Sequence, residues 1–125
     1  MVVAAELRGA IRDHALAERP NESCGLLLLD GDQAVRYVRG TNVSPSPYRF
    51  ELFIEPLEWA GFGDSGLTQA VVHSHISAPA YPSRTDVENI GLWRKSPYVI
   101  YSIAKDDLAA FEIDEGGRIA RLPLT

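Results

Sequence analysis

Apolar residues recur every four positions from Val3 to Ala15, and Arg8, Arg12 and Asp13 lie on other faces. This period predicts an amphipathic helix over residues 4–18, which Pro20 ends. The next apolar run, from Ser23 to Leu29, is short and has no polar interruption. It predicts a buried central strand followed by a turn at Asp30-Gly31-Asp32.

The rest of the chain alternates short apolar runs with turn-forming and loop-forming residues. The predicted elements are a strand from Ala34 to Arg39, a loop from Thr41 to Pro47, a strand from Tyr48 to Ile54, a short helix from Pro56 to Phe62, a strand from Gln69 to Ser74, a loop from Ile76 to Pro82, a helix capped by Ser83 or Thr85 and ending at Ser96, and strands from Tyr98 to Ala104, Leu108 to Ile113 and Arg118 to Leu122. This order predicts an α/β fold with a mixed, largely antiparallel sheet flanked by helices. The length favours one domain over residues 1–125.

Composition excludes several classes of protein. The net charge is −5 and no run of basic residues is present, so we expect no nucleic-acid partner. The longest apolar run, Cys24 to Leu29, is far shorter than the ~20 residues that span a bilayer, so we expect no membrane partner. The single cysteine excludes an internal disulfide and suits a reducing cytosol, which predicts a cytoplasmic protein. The segment from Gly61 to Gly66 lacks a phosphate-binding pattern, so no nucleotide cofactor is expected.

Candidate chemistry lies near the end of the predicted strand that contains His73 and His75. Side chains two positions apart in a strand project from the same face, so both imidazoles can reach one ion. A catalytic zinc site needs three protein ligands and one open position, and Asp86, early in the next predicted helix, supplies a suitable carboxylate. The alternative interpretation is a pair of polar residues at a strand end, which is common for an isolated H-x-H pattern.

The spacing is more specific than the residue types. His73-Ser74-His75 is followed by seven residues, then Ser83, two further residues and Asp86, with Glu22 far upstream. This arrangement resembles the JAMM motif of the MPN/JAB metalloprotease family, which consists of a glutamate, a distant H-[ST]-H, seven residues, a serine, two residues and an aspartate. The resemblance extends over nearly the whole chain and implies an MPN/JAB fold, similar to that of cytidine deaminase.

The resemblance implies a role for each matched residue. His73, His75 and Asp86 would bind one Zn²⁺, Glu22 would be the general acid/base, and Ser83 would steady the oxyanion. Without the resemblance, Glu22 would be interpreted as a solvated carboxylate in a turn. Ser83 would then be interpreted as a helix cap only.

The function implied by the resemblance is that of a compact prokaryotic family member. It would be a zinc-dependent peptidase or isopeptidase that hydrolyses the amide bond after the C-terminal Gly-Gly of a ubiquitin-like sulfur carrier, using zinc-activated water. The partner would be that carrier or its conjugates, and the leaving group stays open between cysteine, a peptide and a lysine side chain. Compared with deubiquitinating members, the segment from Thr41 to Thr68 is short and argues against linkage-specific deubiquitination.

Two other functions share parts of this pattern. A non-catalytic MPN scaffold is the alternative, although scaffold members typically lose metal ligands and all are present here. A zinc nucleoside deaminase would need H-x-E and P-C-x-x-C, which the lone cysteine excludes.

Cys24 is interpreted as a small buried hydrophobe instead of a nucleophile, and His14 as a surface or boundary residue with no role.

Overall fold

A computed structural model describes residues 1–125 of the protein. The helices are α1 (Ala5–Glu18), α2 (Pro56–Asp64) and α3 (Arg84–Glu88), and a 3-10 turn covers Gly91–Trp93. The strands are β1 (Cys24–Asp30), β2 (Gln33–Arg39), β3 (Thr41–Asn42), β4 (Leu52–Phe53), β5 (Thr68–His75), β6 (Tyr98–Ser102), β7 (Asp107–Ile113) and β8 (Ile119–Leu122). None of the helices combines the length and apolar character needed to cross a membrane.

Six of the strands form one sheet in the order β2-β1-β5-β6-β7-β8, in which only the β5–β6 pair is parallel. Helix α1 lies over one face, where Ile11 packs in the same cluster as Leu27. Helices α2 and α3 cover the opposite face, where Phe62 packs with Leu26 and Val87 packs against the adjoining cluster. Strand β1 is uniformly apolar because both of its faces are covered. The α/β prediction, with a largely antiparallel sheet flanked by helices, is confirmed.

Two predicted elements are wrong in extent. The predicted strand from Tyr48 to Ile54 is reduced to β4, because the side chain of Asn42 accepts the backbone N–H of Glu51, which a longer ribbon would have paired with Val43. The helix predicted to reach Ser96 ends at Glu88 instead. Gly91 has a φ of 56°, in the left-handed region, and an α-helix cannot continue through that conformation.

The interpretation of His14 as a surface or boundary residue is also wrong. Its side chain is only 2% exposed, and Nδ1 lies 2.6 Å from the hydroxyl oxygen of Tyr37 on β2. His14 follows Ile11 by three positions and therefore shares its side of α1. Because α1 also packs across β2, the buried face of this helix is wider than the apolar residues at every fourth position indicate.

The close packing of β2 on β1 makes Gly25 sensitive to substitution. A Cβ there would meet the carbonyl oxygen of Val38 and lie 2.7 Å from the hydroxyl of Tyr37. We expect Gly25→Ala to lower the free energy of unfolding by about 1–3 kcal/mol through overpacking, as measured by urea denaturation. Gly9→Ala is the matched control, because a Cβ at Gly9 meets nothing within 4 Å. Alanine should stabilise α1 there by about 0.5–1 kcal/mol, and equal stability of the two variants would contradict the prediction.

Candidate metal centre

The candidate site lies where the two parallel strands of the sheet end. Strand β5 ends at His75, which pairs with Ser102, the last residue of β6. The chain then leaves the sheet through a loop that is anchored to β6. The hydroxyl of Ser102 donates to the carbonyl of Ala78 at 2.7 Å, and the N–H of Ile103 donates to the carbonyl of His75 at 2.9 Å. This loop leads to α3 and so carries Asp86 back to the strand end.

The side chains of His73, His75 and Asp86 converge on one point. Nε2 of His73 lies 3.1 Å from Oδ1 of Asp86, and Nε2 of His75 lies 2.9 Å from Oδ2. The two Nε2 atoms are 3.2 Å apart. All three side chains are buried, and one ligand atom from each lies within 4.8 Å of the others. The structure therefore brings together the three residues that the sequence predicts as ligands.

The arrangement of donors and acceptors fits a metal ion. Nδ1 of His75 lies 2.8 Å from the carbonyl oxygen of Pro79 and donates its proton there. In the neutral ring Nε2 then carries a lone pair, which faces a carboxylate oxygen of Asp86. Buried lone pairs that face one another need a cation between them. Two imidazole nitrogens and one carboxylate oxygen form a donor set that suits zinc and leaves a tetrahedral position open.

The charge states of these residues suit the same interpretation. Burial lowers the pKa of His73, which favours the neutral imidazole that binds metals. Burial opposes the ionisation of Asp86, but the charge and hydrogen bond of His73, together with the hydrogen bonds from His75 and the N–H of Ser83, outweigh it and hold the pKa of that carboxyl well below its usual range. Burial opposes the protonation of His75, but its hydrogen bonds to Asp86 and to the carbonyl of Pro79 outweigh burial and raise its pKa. Asp86 is therefore the anionic group of this cluster.

Ser83, one of the two caps that the sequence allows, is the N-cap of α3. Its Oγ accepts the N–H of Asp86 at 3.0 Å, and its own N–H donates to Oδ2 of Asp86 at 2.9 Å. This reciprocal capping box fixes the start of the helix. It also fixes the carboxylate of Asp86, so the cap orients a candidate metal ligand.

Glu22 lies beside this cluster, in the short segment between α1 and β1. Together with His75 and Ser83 it lines a cleft of about 630 Å³. The interpretation of Glu22 as a solvated carboxylate is wrong, because the residue is only 7% exposed. Burial and the charge of Asp86 together raise the pKa of Glu22 to about 7, although the charge of His75 opposes the rise. Oε1 has no hydrogen-bond partner, so it is free to accept or hold a proton.

Two residues that sequence reasoning missed hold Glu22 in place. The peptide group between Glu22 and Ser23 is bonded on both sides: Asn42 Nδ2 donates to the carbonyl of Glu22 at 3.0 Å, and the N–H of Ser23 donates to Ser74 Oγ at 2.8 Å. The position of Ser74 between two histidines on a buried strand is a sequence signal for its role. Nothing in the sequence points to Asn42.

Cys24 begins β1 directly opposite His73 but is not part of the ligand cluster. Its thiol is buried, and burial raises its pKa to about 12. The thiol is therefore protonated near neutral pH, whereas a nucleophile would need the thiolate.

Comparison with solved structures defines the class of protein. A solution structure from Desulfitobacterium hafniense matches with a TM-score of 0.81 and 26% identity, covering 99% of this chain and 90% of that chain. A crystal structure of a JAB1/MPN domain protein from Archaeoglobus fulgidus matches with a TM-score of 0.59 and 19% identity, covering 95% and 93%. The fold is of the JAB/MPN class.

Sequence comparison gives the family. Residues 4–114 match the family described as prokaryotic homologs of the JAB domain. The CysO-cysteine peptidase of Mycobacterium tuberculosis is 32% identical over an alignment of 124 positions, which covers 93% of this chain and 84% of that protein. The chain belongs to the prokaryotic JAB family.

We expect the purified protein to bind one zinc ion per chain. His73→Ala, His75→Ala and Asp86→Ala should each weaken zinc binding sharply, because three ligands leave no redundancy. Elemental analysis at limiting zinc measures the effect, and Asp13→Ala, which removes an exposed carboxylate on α1, is the control. Unchanged zinc content in all three ligand variants would contradict the assignment.

Proposed function

We propose that this protein is a zinc-dependent JAMM-type metallopeptidase. The observation that carries the proposal is the convergence of His73, His75 and Asp86 in a buried cluster that shares a cleft with Glu22. These three residues would hold a zinc ion, which would supply Lewis acidity toward a scissile carbonyl and toward water. A scaffold that only bound a partner would need neither the complete ligand set nor a buried, unpaired carboxylate beside it.

Glu22 is the proposed general acid/base. Its Oε1 is buried without a hydrogen-bond partner, and its raised pKa lies near neutrality. A group with such a pKa both accepts and releases a proton readily at neutral pH. Glu22 would accept a proton from the attacking water and pass it to the amine nitrogen as the amide bond breaks.

Ser83 is the proposed oxyanion donor. Its Oγ already accepts the N–H of Asp86, so the hydroxyl proton is free to point into the cleft that Ser83 lines. There it would donate to the oxygen that gains negative charge when the carbonyl is attacked. The capping bond holds the hydroxyl oxygen in position before the substrate arrives.

We further propose a ubiquitin-like sulfur carrier as the substrate, cleaved after its C-terminal Gly-Gly. Support comes from the relative described as a CysO-cysteine peptidase and from the shared family. A glycine tail has no side chains to obstruct a cleft whose walls include Pro20, Pro47 and Tyr48. The reaction would take place in the cytoplasm, a compartment that suits the free thiol of Cys24.

The experiment is to incubate the zinc-loaded protein with sulfur carriers extended beyond Gly-Gly by cysteine, by a short peptide or by a lysine-linked adduct. Mass spectrometry would identify both the cleavage and the leaving group. Glu22→Gln should keep zinc and the fold but lose at least about 100-fold in rate, because an amide cannot shuttle the proton. Glu6→Gln, at an exposed position of α1, is the matched control. Cleavage of none of the extended carriers would contradict the substrate proposal, and wild-type turnover by Glu22→Gln would remove Glu22 from the mechanism.

The two roles of Ser83 can be separated by measuring stability and kcat on the same variant. Loss of a cap costs ~1 kcal/mol of stability, whereas loss of an oxyanion donor lowers kcat by on the order of 100-fold. We expect Ser83→Ala to fold, to retain zinc and to show the loss in kcat. Glu55→Ala is the control, since the Glu55 carboxylate caps α2 by accepting the N–H of Glu58 at 3.0 Å. Full activity in a destabilised Ser83→Ala would mean that the serine is only a cap.

A further inference from the structure

Phe50 lies against the imidazole of His73. The ring centroids are 4.5 Å apart and the planes differ by 21°, which is a stacked arrangement. Phe50 belongs to the segment between β3 and β4, far from His73 in the sequence. Tyr98 meets the same imidazole in a tilted arrangement with its centroid 5.1 Å away. The ring of His73 is therefore enclosed by aromatic side chains.

The two candidate histidine ligands are held in different ways. The Nδ1 of His75 donates to the carbonyl of Pro79, whereas the Nδ1 of His73 is buried and has no hydrogen-bond partner. A metal-binding histidine usually fixes its ring by donating the other N–H to a carbonyl or carboxylate. Since His73 lacks that bond, packing must fix the orientation that aims its Nε2 at Asp86.

Asn42 fixes the backbone on both sides of Phe50. Its Nδ2 donates to the carbonyl of Arg49 at 3.2 Å, and its Oδ1 accepts the N–H of Glu51 at 3.0 Å. These atoms belong to the two peptide groups that flank Phe50. The same side chain also accepts the N–H of Ser44 and donates to the carbonyl of Glu22. Its carboxamide thus makes all four of the hydrogen bonds available to it.

The bonding pattern also determines which way this amide points. Both partners of Nδ2 are carbonyl oxygens and both partners of Oδ1 are N–H groups, so a flipped amide would lose every bond. One side chain therefore joins the backbone of Glu22 to the peptide groups that carry Phe50.

We propose that Phe50 is a positioning residue for His73 and that the side-chain amide of Asn42 holds it there. The stacked ring replaces the hydrogen bond that Nδ1 of His73 lacks. This inference rests on the proposed metal centre, and it extends that centre to a segment that contributes no ligand of its own.

The test compares Phe50→Leu with Phe50→Tyr. Leucine keeps apolar bulk but removes the flat face, whereas tyrosine keeps the ring. We expect Phe50→Leu to raise the zinc dissociation constant about 10-fold in chelator competition. A loss of this size is typical when a residue that orients a metal ligand is substituted. The visible absorption bands of the Co²⁺-loaded protein should also shift, because they report ligand geometry. Phe50→Tyr should keep the wild-type zinc affinity and the wild-type cobalt spectrum. Wild-type zinc affinity and an unchanged cobalt spectrum in folded Phe50→Leu would overturn the proposal.

Asn42→Asp provides a second and independent test. Aspartate can still accept from Ser44 and Glu51, but it cannot donate to the carbonyls of Glu22 and Arg49. We expect the same loss of zinc affinity and the same spectral shift as in Phe50→Leu. Gln33→Glu makes the same amide-to-carboxylate change at the exposed first residue of β2 and should have no effect. Wild-type metal properties in folded Asn42→Asp would remove Asn42 from the proposal.

Metal binding separates failure of this inference from failure of the proposed function. A wild-type protein that binds no zinc would overturn both. Wild-type binding that neither substitution alters would overturn only the positioning role. Circular dichroism establishes that each variant is folded, and if Asn42→Asp does not fold, the Phe50 pair decides the result alone.

Discussion

The buried side chains of His73, His75 and Asp86 converge beside a cleft, and much of the surrounding structure holds them there. Nε2 of His73, Nε2 of His75 and the carboxylate of Asp86 gain nothing from mutual contact unless a cation lies between them. Each side chain must therefore be held in place by a contact outside the cluster. The carbonyl of Pro79 holds His75 and the N–H of Ser83 holds Asp86, whereas His73 depends on aromatic packing. The fold itself therefore holds these three side chains together.

The sheet explains why Glu22 reaches this cluster although it is far away in the sequence. Antiparallel pairing of β1 with β5 sets Cys24 opposite His73, so the residues just before β1 lie beside the end of β5. The peptide group that follows Glu22 is then bonded to Asn42 on one side and to Ser74 on the other. The backbone of Glu22 is thereby fixed at a buried position, and burial is the main reason that the pKa of its carboxyl rises to about 7.

The sequence predicted what depends on local periodicity and missed what depends on distant partners. The first helix, the buried strand β1 and the common face of His73 and His75 all follow from residue spacing. The burial of Glu22 does not, because it arises from pairing with β5. The short β4 follows from a hydrogen bond of a single asparagine side chain, and the early end of α3 from a glycine with positive φ. His14 is buried because of where α1 crosses β2, which no pattern within α1 specifies.

Ser74 lies between the two histidines, so three consecutive residues of β5 serve both sides of the sheet. His73 and His75 point to one face, and Ser74 points to the other, where it accepts the N–H of Ser23. Inserting or deleting one residue within this strand would turn every side chain beyond the change to the opposite face. The ligands and the anchor of Glu22 would then exchange sides together. Length variation among related chains should therefore be confined to the connecting loops, with β5 kept at constant length between its pairing partners.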